Sequence, residues 1–287
     1  MTNAEAIILA VVEGLTEFLP VSSTGHLILT EGLLRMEESR LLKVFTVNIQ
    51  FGAILSVVLL YWRRFFQSID FYFKLLVAFI PAAVLGLLLN DFIDSLLSSV
   101  TTVAVSLIIG GVVLILVDKF FHKQIEGVSD EDEVSYIKKK DEFGVERTET
   151  VLHQFTVSWM QAFIIGCFQC IAMIPGVSRS AATIVGGLSQ KLNIKKAAEF
   201  SFFLAVPTIA AAALYKLKKD FSYIKGPDIY YLVLGNVISF IVGVIAIRFF
   251  IGLITRYGLR FFGYYRIVVG VVILLLIALG YNIKLVE

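Results

Sequence analysis

The sequence is poor in charge. Only 17% of its 287 residues are Asp, Glu, Lys or Arg, against about a quarter in a soluble globular domain. Hydrophobic residues make up 58% and the mean hydropathy is +0.85. A water-soluble domain of this length has no means of hiding so much apolar surface, and a disordered chain would not carry it. Cysteine is also scarce. Two residues, Cys167 and Cys170, are too few for a disulfide-rich secreted module. Three apart in an apolar stretch, they read as free thiols buried on one helix face rather than as a redox or metal pair. The net charge of +2 offers no basic surface for nucleic acid. The first residues lack the basic start of a secretory signal and carry glutamates within an apolar stretch, so no signal peptide is expected.

What is abundant is long apolar runs. A bilayer core about 30 Å thick needs about 20 apolar residues in a helix. Six stretches fit: 43–62, 73–91, 98–118, 197–216, 229–250 and 265–284. Two more, 4–33 and 154–190, are apolar but broken near their centres by Pro20 and Pro175, each followed by Ser, Thr and Gly. Irregular backbone at membrane depth must be buried in protein or face a wet cavity. Both segments therefore read as helix–turn–helix dips that return to their own side. Between them, 14 of the 29 residues in 122–150 are charged. The segment from about 122 to 153 is thus expected to be a solvated, mobile loop, with no function assigned to His122 or His153 at its edges.

Shifting the sequence by 156 residues places Glu5 on Gln161, Glu13 on Gln169, Pro20 on Gly176, Val21-Ser22 on Val177-Ser178 and Thr24 on Ser180. The expectation is one domain over 1–287. Repeat one covers about 4–121 and repeat two about 154–284, each with one dip followed by three spans. An odd number of spans inverts the second copy, and inverted repeats with broken helices place a site at the midplane. The fold class is then all-α and polytopic, with six transmembrane helices and two re-entrant segments. One side of this topology holds 15 Lys and Arg, among them Arg256, Arg260 and Arg266 counted as loop residues, and the other holds 8. The richer side should be cytoplasmic, which puts both termini and the first dip outside. Tyr and Trp near helix ends read as interfacial belts rather than ligands.

Chemistry concentrates at the two breaks. Glu13 and Glu17 share a helix face. Two carboxylates in an apolar helix are costly and repel, a conflict that a divalent cation, a shared proton or an arginine removes. Ser22, Ser23 and Thr24 follow Pro20 at the start of a new helix. There a hydroxyl caps, and free N–H groups suit an anion. Ser23 and His26 lie three apart on one face of that helix, an arrangement that places a hydroxyl near a base. The second break reads Pro175-Gly176-Val177-Ser178-Arg179-Ser180-Ala181-Ala182-Thr183. Arg179 reads as a bidentate phosphate clamp or as the ion-pair partner of Glu13 or Glu17. Ser178 and Ser180 can donate to the same anion or cap the helix, with Thr183 one turn on. Acidic residues, a hydroxyl, an imidazole and an arginine at two helix starts suit phosphoryl chemistry, and their depth in the membrane suits a lipid-linked phosphate. A transporter or flippase of prenyl phosphate lipids is the alternative, because such proteins also use broken helices and midplane charges.

At these segments the chain resembles the undecaprenyl-diphosphate phosphatase family, also called bacitracin-resistance proteins. The resemblance rests on Glu13-x-x-x-Glu17-Phe-Leu-Pro-Val-Ser-Ser-Thr-Gly-His26 and on Pro175-Gly-x-Ser-Arg-Ser-x-x-Thr183. It implies a multi-pass enzyme of the bacterial cytoplasmic membrane, open to the outer face. Such an enzyme hydrolyses undecaprenyl diphosphate to undecaprenyl phosphate and phosphate, recycling the carrier lipid for wall synthesis and lowering bacitracin sensitivity. Carried over to this chain, Glu13 and Glu17 would hold Mg²⁺ or Ca²⁺. Arg179, Ser22, Thr24, Gly176, Ser178, Ser180 and Thr183 would bind phosphate. Ser23 would attack and His26 would handle protons, with direct attack by water or by His26 as alternatives. The implied partners are the prenyl diphosphate and membrane lipid, with a homodimer left open and no nucleic acid.

Overall fold

The computed structural model describes residues 1–280 apart from 38, 66–68, 90–95, 97–98, 127–133, 141–145 and 153–156. His153 therefore lies outside the described residues. The first half runs α1 (Asn3–Thr16), α2 (Ser23–Leu33), α3 (Arg40–Leu60), α4 (Ile69–Leu88) and α5 (Val100–Phe120). The second runs α6 (Trp159–Ile171), α7 (Arg179–Ser189), α8 (Ile194–Asp220), α9 (Gly226–Tyr257) and α10 (Arg260–Ala278). Helices α3, α4, α5, α8, α9 and α10 are long and apolar enough to cross a membrane. They match the six expected stretches. Their outward faces carry large exposed apolar side chains such as Leu88, Phe120, Phe249 and Val268, as lipid contact requires. The chain is a multi-pass membrane protein.

The four remaining long helices are too short to span. At 1.5 Å per residue the 14 residues of α1 and the 11 of α2 reach only about 21 and 16 Å. Helices α6 and α7, of 13 and 11 residues, repeat that pattern. Both leading helices start in a capping box, Thr2 with Glu5 and Ser158 with Gln161. Both following helices start at a serine held at positive φ, Ser22 at 70° and Ser178 at 76°. Each pair of equivalent residues is 156 apart.

Close packing of the spans uses small residues, as membrane helices do. On α5 and α10, Gly111 and Gly263 face each other. A Cβ on either would lie 2.6–2.7 Å from the other's carbonyl oxygen. Gly270 meets the carbonyl of Ala104 one heptad further along. The core is aromatic near the first break: Phe18 packs edge-on against Phe202 at 5.4 Å, Phe202 meets Phe250 at 5.9 Å and Phe250 meets Phe262 at 5.4 Å. This row ties the first break to α8, α9 and α10.

The membrane body is helical throughout, and three local features depart from expectation. The polar insert holds a helical turn (His122–Glu126) and an antiparallel hairpin, β1 (Val134–Lys140) with β2 (Glu146–Leu152), in a register that sets Lys140 opposite Glu146. Its charge count masked a run of Val, Ile, Tyr and Thr suited to strands. Cys167 and Cys170 are free, as expected, but Cys167 is exposed and Cys170 half-buried, because their face of α6 turns outward. The last span begins at Arg260 rather than 265. Arg266 therefore sits inside the bundle, while Tyr265 beside it stays exposed.

Candidate functional site

A cavity of about 750 Å³ opens where the two breaks meet. Its polar end is formed by Glu17, Ser22, Ser23 and Thr24 from the first break and by Gly176, Ser178 and Arg179 from the second. Its walls are apolar, with Phe79, Ala82 and Leu87 of α4, Met173 after α6 and Ile209 and Ala212 of α8. Gln50, Gln169 and Thr208 add a smaller polar patch.

The polar end is a connected network. The Ser23 hydroxyl donates to Glu17 Oε2 at 2.6 Å. Arg179 Nη2 donates to Glu17 Oε1 at 2.8 Å, with both side chains largely buried. Arg179 Nη1 donates to the carbonyl of Ser201 at 2.8 Å, and Thr183 donates to the Ser201 hydroxyl at 2.7 Å. Arg179 Nε is buried with no hydrogen-bond partner among the described residues. That N–H is a free donor beside the cavity, in a low-dielectric setting where an unmet donor is costly. Ser180 donates to the carbonyl of Phe18 at 2.7 Å, a bond between the two breaks rather than toward the cavity.

Ser22 and Ser178 act as caps, accepting from Gly25 N at 3.4 Å and from Ala181 N at 3.2 Å. The caps orient both helix starts, with their unpaired N–H groups and partial positive charge, toward the same polar end. Gly176 is needed for its own conformation. Its φ is +90°, and a Cβ there would lie 2.5 Å from the carbonyl oxygen of Val103.

Histidine behaves differently from the expected pairing. Ser23 is bonded to Glu17, and no hydrogen bond among the described residues joins it to His26. The His26 Nδ1 lies 2.7 Å from the carbonyl of Ser22 and its Nε2 lies 2.7 Å from the Tyr265 hydroxyl. A carbonyl only accepts, so Nδ1 carries a proton. In the neutral ring Nε2 then accepts from Tyr265. The two rings stack with centroids 5.5 Å apart and planes 4° apart. Helical spacing placed Ser23 and His26 on one side but could not show that Glu17, on the preceding helix, reaches the serine first.

Glu13 is fully buried, and neither of its oxygens has a hydrogen-bond partner among the described residues. Glu17, by contrast, has both oxygens engaged. Among the described residues no group of three or more His, Cys, Asp or Glu is placed to hold a metal. Two carboxylates alone fit a small hard cation that takes most of its oxygens from phosphate and water, in the manner of Mg²⁺. The orphaned Glu13 carboxyl is the feature that such an ion would satisfy.

Sequence reasoning missed Ser201, Tyr265 and Arg266. Ser201 lies in an unremarkable apolar span. Tyr265 and Arg266 were read as belt and loop residues, although a cation at the start of an apolar run is a signal that it can lie inside.

The model of the family described as bacitracin resistance protein BacA matches residues 6–272. Among curated relatives, a protein of Flavobacterium psychrophilum named undecaprenyl-diphosphatase is 52% identical over 279 residues, covering 96% of each chain. One of Bdellovibrio bacteriovorus with the same name is 49% identical over 287 residues, covering 100% of each. A third, from Flavobacterium johnsoniae, is 50% identical over 282 residues, covering 96% of each. With both breaks inside the matched range and identity near one half along the whole length, the chain belongs to the bacitracin resistance protein BacA family.

Proposed function

We propose that this protein is a membrane phosphatase that hydrolyses undecaprenyl diphosphate to undecaprenyl phosphate and inorganic phosphate. The reaction recycles the carrier lipid of wall synthesis and lowers sensitivity to bacitracin. The observation that carries this reading is the single cavity in which Ser23, Glu17 and Arg179 form a bonded row at the polar end of apolar walls. A diphosphate fits the polar end and a prenyl chain the walls. Curated relatives bearing the diphosphatase name along the full chain favour it over the transporter reading.

In the proposed mechanism the diphosphate enters with its terminal phosphate toward Ser23. The Arg179 fork turns from Glu17 to phosphate oxygens, with its free Nε–H added. The N–H groups at the starts of α2 and α7 share the remaining charge. Glu17 takes the Ser23 proton as Oγ attacks the terminal phosphorus. The bond from that phosphorus to the bridging oxygen breaks, and undecaprenyl phosphate leaves with the bridging oxygen. Glu17 passes that proton to the departing lipid phosphate, takes another from the water that attacks the phosphoserine, and returns it to Ser23 Oγ as the Oγ–P bond breaks and phosphate is released. His26, held by Ser22 and Tyr265, is placed to orient the first turn of α2 and to exchange protons with Tyr265. The alternative in which Glu17 activates a water, with Ser23 only binding it, keeps the same residues. A divalent cation held by Glu13 and Glu17 would neutralise diphosphate charge.

The topology proposed is an inverted repeat in the cytoplasmic membrane, with both helix pairs re-entrant and the cavity open outward. The matched caps and positive-φ serines at an offset of 156 support two equivalent copies. A homodimer is compatible with the apolar outer faces, and light scattering in detergent reads that state.

Phosphate release from undecaprenyl diphosphate by purified protein in detergent with Mg²⁺ tests the reading. Turnover that is lost in Glu17→Ala and Arg179→Ala variants shown to be folded supports it. Folded wild-type protein that binds the lipid but releases nothing restores the transporter.

A further inference from the structure

Arg266 is the largest completely buried side chain among the described residues, with no exposed surface. It lies nearly two turns into α10, away from the cavity lining. A guanidinium has five N–H groups, and here each finds a backbone carbonyl. Nε donates to Leu107 at 3.4 Å. Nη1 donates to Pro20 at 3.2 Å and to Val177 at 2.9 Å. Nη2 donates to Ser106 at 3.3 Å and to Gly176 at 2.8 Å. No carboxylate pairs with it among the described residues. Helix α5 makes room through Gly110, where a Cβ would overlap the guanidinium.

The five carbonyls come from three places: α5, the first break and the second break. Those on the breaks are not arbitrary. The Val177 carbonyl belongs to the peptide unit that enters Ser178, and the Pro20 carbonyl lies one residue further from Ser22. Both serines hold a positive φ, which costs a residue with a side chain about 1–3 kcal/mol and persists only where the surroundings hold it. These serines cap α2 and α7, the helices that carry Ser23 and Arg179. The relative position of the breaks sets whether Arg179 reaches Glu17 at 2.8 Å, the same carboxylate that holds Ser23. The cation also stands behind both breaks unneutralised, where it adds positive potential to an anion site.

We infer that Arg266 is a positioning residue for phosphate transfer: it fastens both breaks to α5 at a fixed separation and never touches the substrate. This rests on the diphosphatase reading of the cavity. A lysine at 266 keeps the charge but has one ammonium for five carbonyls. It separates fastening from electrostatics. Gly110→Ala does the converse, keeping arginine while displacing its head group.

The experiment measures kcat and KM for undecaprenyl diphosphate with wild type, Arg266→Lys and Gly110→Ala, each monodisperse in detergent and assayed well below its melting temperature. Hydrogen exchange of the amides at 21–25 and 176–181 is followed in parallel. The expected result is a fall in kcat of about a hundredfold, the scale of a small misplacement made away from the chemistry. KM should stay within about threefold. Exchange should rise at both breaks together in each variant. A lowered melting temperature with kcat of the folded protein unchanged overturns the inference. So does a raised KM with kcat kept, which leaves only charge attraction. Exchange unchanged at either break overturns it whether or not the protein turns over. Absence of turnover in wild type refutes the diphosphatase reading instead, and the exchange measurement then decides the fastening on its own. If one variant fails to fold, the other carries both measurements.

Discussion

Glu17→Gln is the most informative single change. Glu17 accepts from Ser23 through one oxygen and from Arg179 through the other, at 2.6 and 2.8 Å. Glutamine has nearly the same shape but only one accepting oxygen. Turned toward Ser23, its NH₂ faces the donors of Arg179; turned toward Arg179, it leaves Ser23 without a base. Removing a partner from a buried pair outright costs about 3–5 kcal/mol. Because one hydrogen bond to the amide oxygen survives, the loss falls nearer the value of a single charged hydrogen bond, about 1.5–3 kcal/mol. The variant should therefore fold with a lowered melting temperature.

Its chemistry should suffer more than its stability. Loss of a general base costs roughly 10²–10⁴-fold in rate, about 3–5 kcal/mol of barrier. Ser23→Ala should lose a similar factor. If the two residues act as one unit, Ser23→Ala/Glu17→Gln should be no slower than the worse single variant, because groups that act together are strongly non-additive. Phosphate release from undecaprenyl diphosphate, normalised to folded protein, reads all three. A Glu17→Gln enzyme within about threefold of wild type in kcat refutes the base. Single losses that multiply in the double variant refute the unit. An inactive Glu17→Gln beside an active Ser23→Ala shifts the attack to water.

Three other outcomes follow from the same geometry. Tyr265→Phe removes the partner of His26 Nε2 while leaving the stacked ring; one neutral hydrogen bond, about 1 kcal/mol, should appear as a several-fold lower kcat in a steady-state assay, with melting temperature nearly unchanged. Gly176→Ala puts a Cβ at φ +90° and 2.5 Å from Val103 O. Thermal unfolding should show at least about 1–3 kcal/mol lost from the backbone strain alone, and phosphate release should fall with it. Chelation should abolish turnover and Mg²⁺ or Ca²⁺ should restore it, while Glu13→Gln should raise the metal concentration needed for half activity; full activity in chelator would remove the cation from the mechanism.

The spans were legible because the bilayer imposes one length and one composition, and a run such as Val44–Trp62 without charge has few other readings. The breaks were legible because Pro20 and Pro175, followed by Ser, Thr and Gly, interrupt otherwise apolar segments. Partnership was not legible. Which carboxylate meets Ser23 depends on how α1 returns into α2, and helical spacing within α2 pointed to His26 instead. Arg266 was hidden for a related reason. Hydropathy locates the middle of a span better than its start, and a start placed five residues late moved Arg266 from the bundle to its rim. The hairpin in the polar insert was masked because charge density is read before strand propensity.

The two breaks share a frame and differ in what it carries. At an offset of 156, the capping serines Ser22 and Ser178 correspond and have nearly the same backbone. The residue after each cap does not: Ser23 in one break stands where Arg179 stands in the other. Glu13 and Glu17 stand where Gln169 and Met173 stand. One break thus brings the hydroxyl and both carboxylates, and the other brings the cation. Neither would be tolerable alone at membrane depth, where an unpaired carboxylate or arginine is costly. Placed face to face, Glu17 and Arg179 satisfy each other until an anionic substrate offers Arg179 better oxygens. The residual cost at the site falls on the Glu13 carboxyl and on the Arg179 Nε–H, both buried without a hydrogen-bond partner among the described residues.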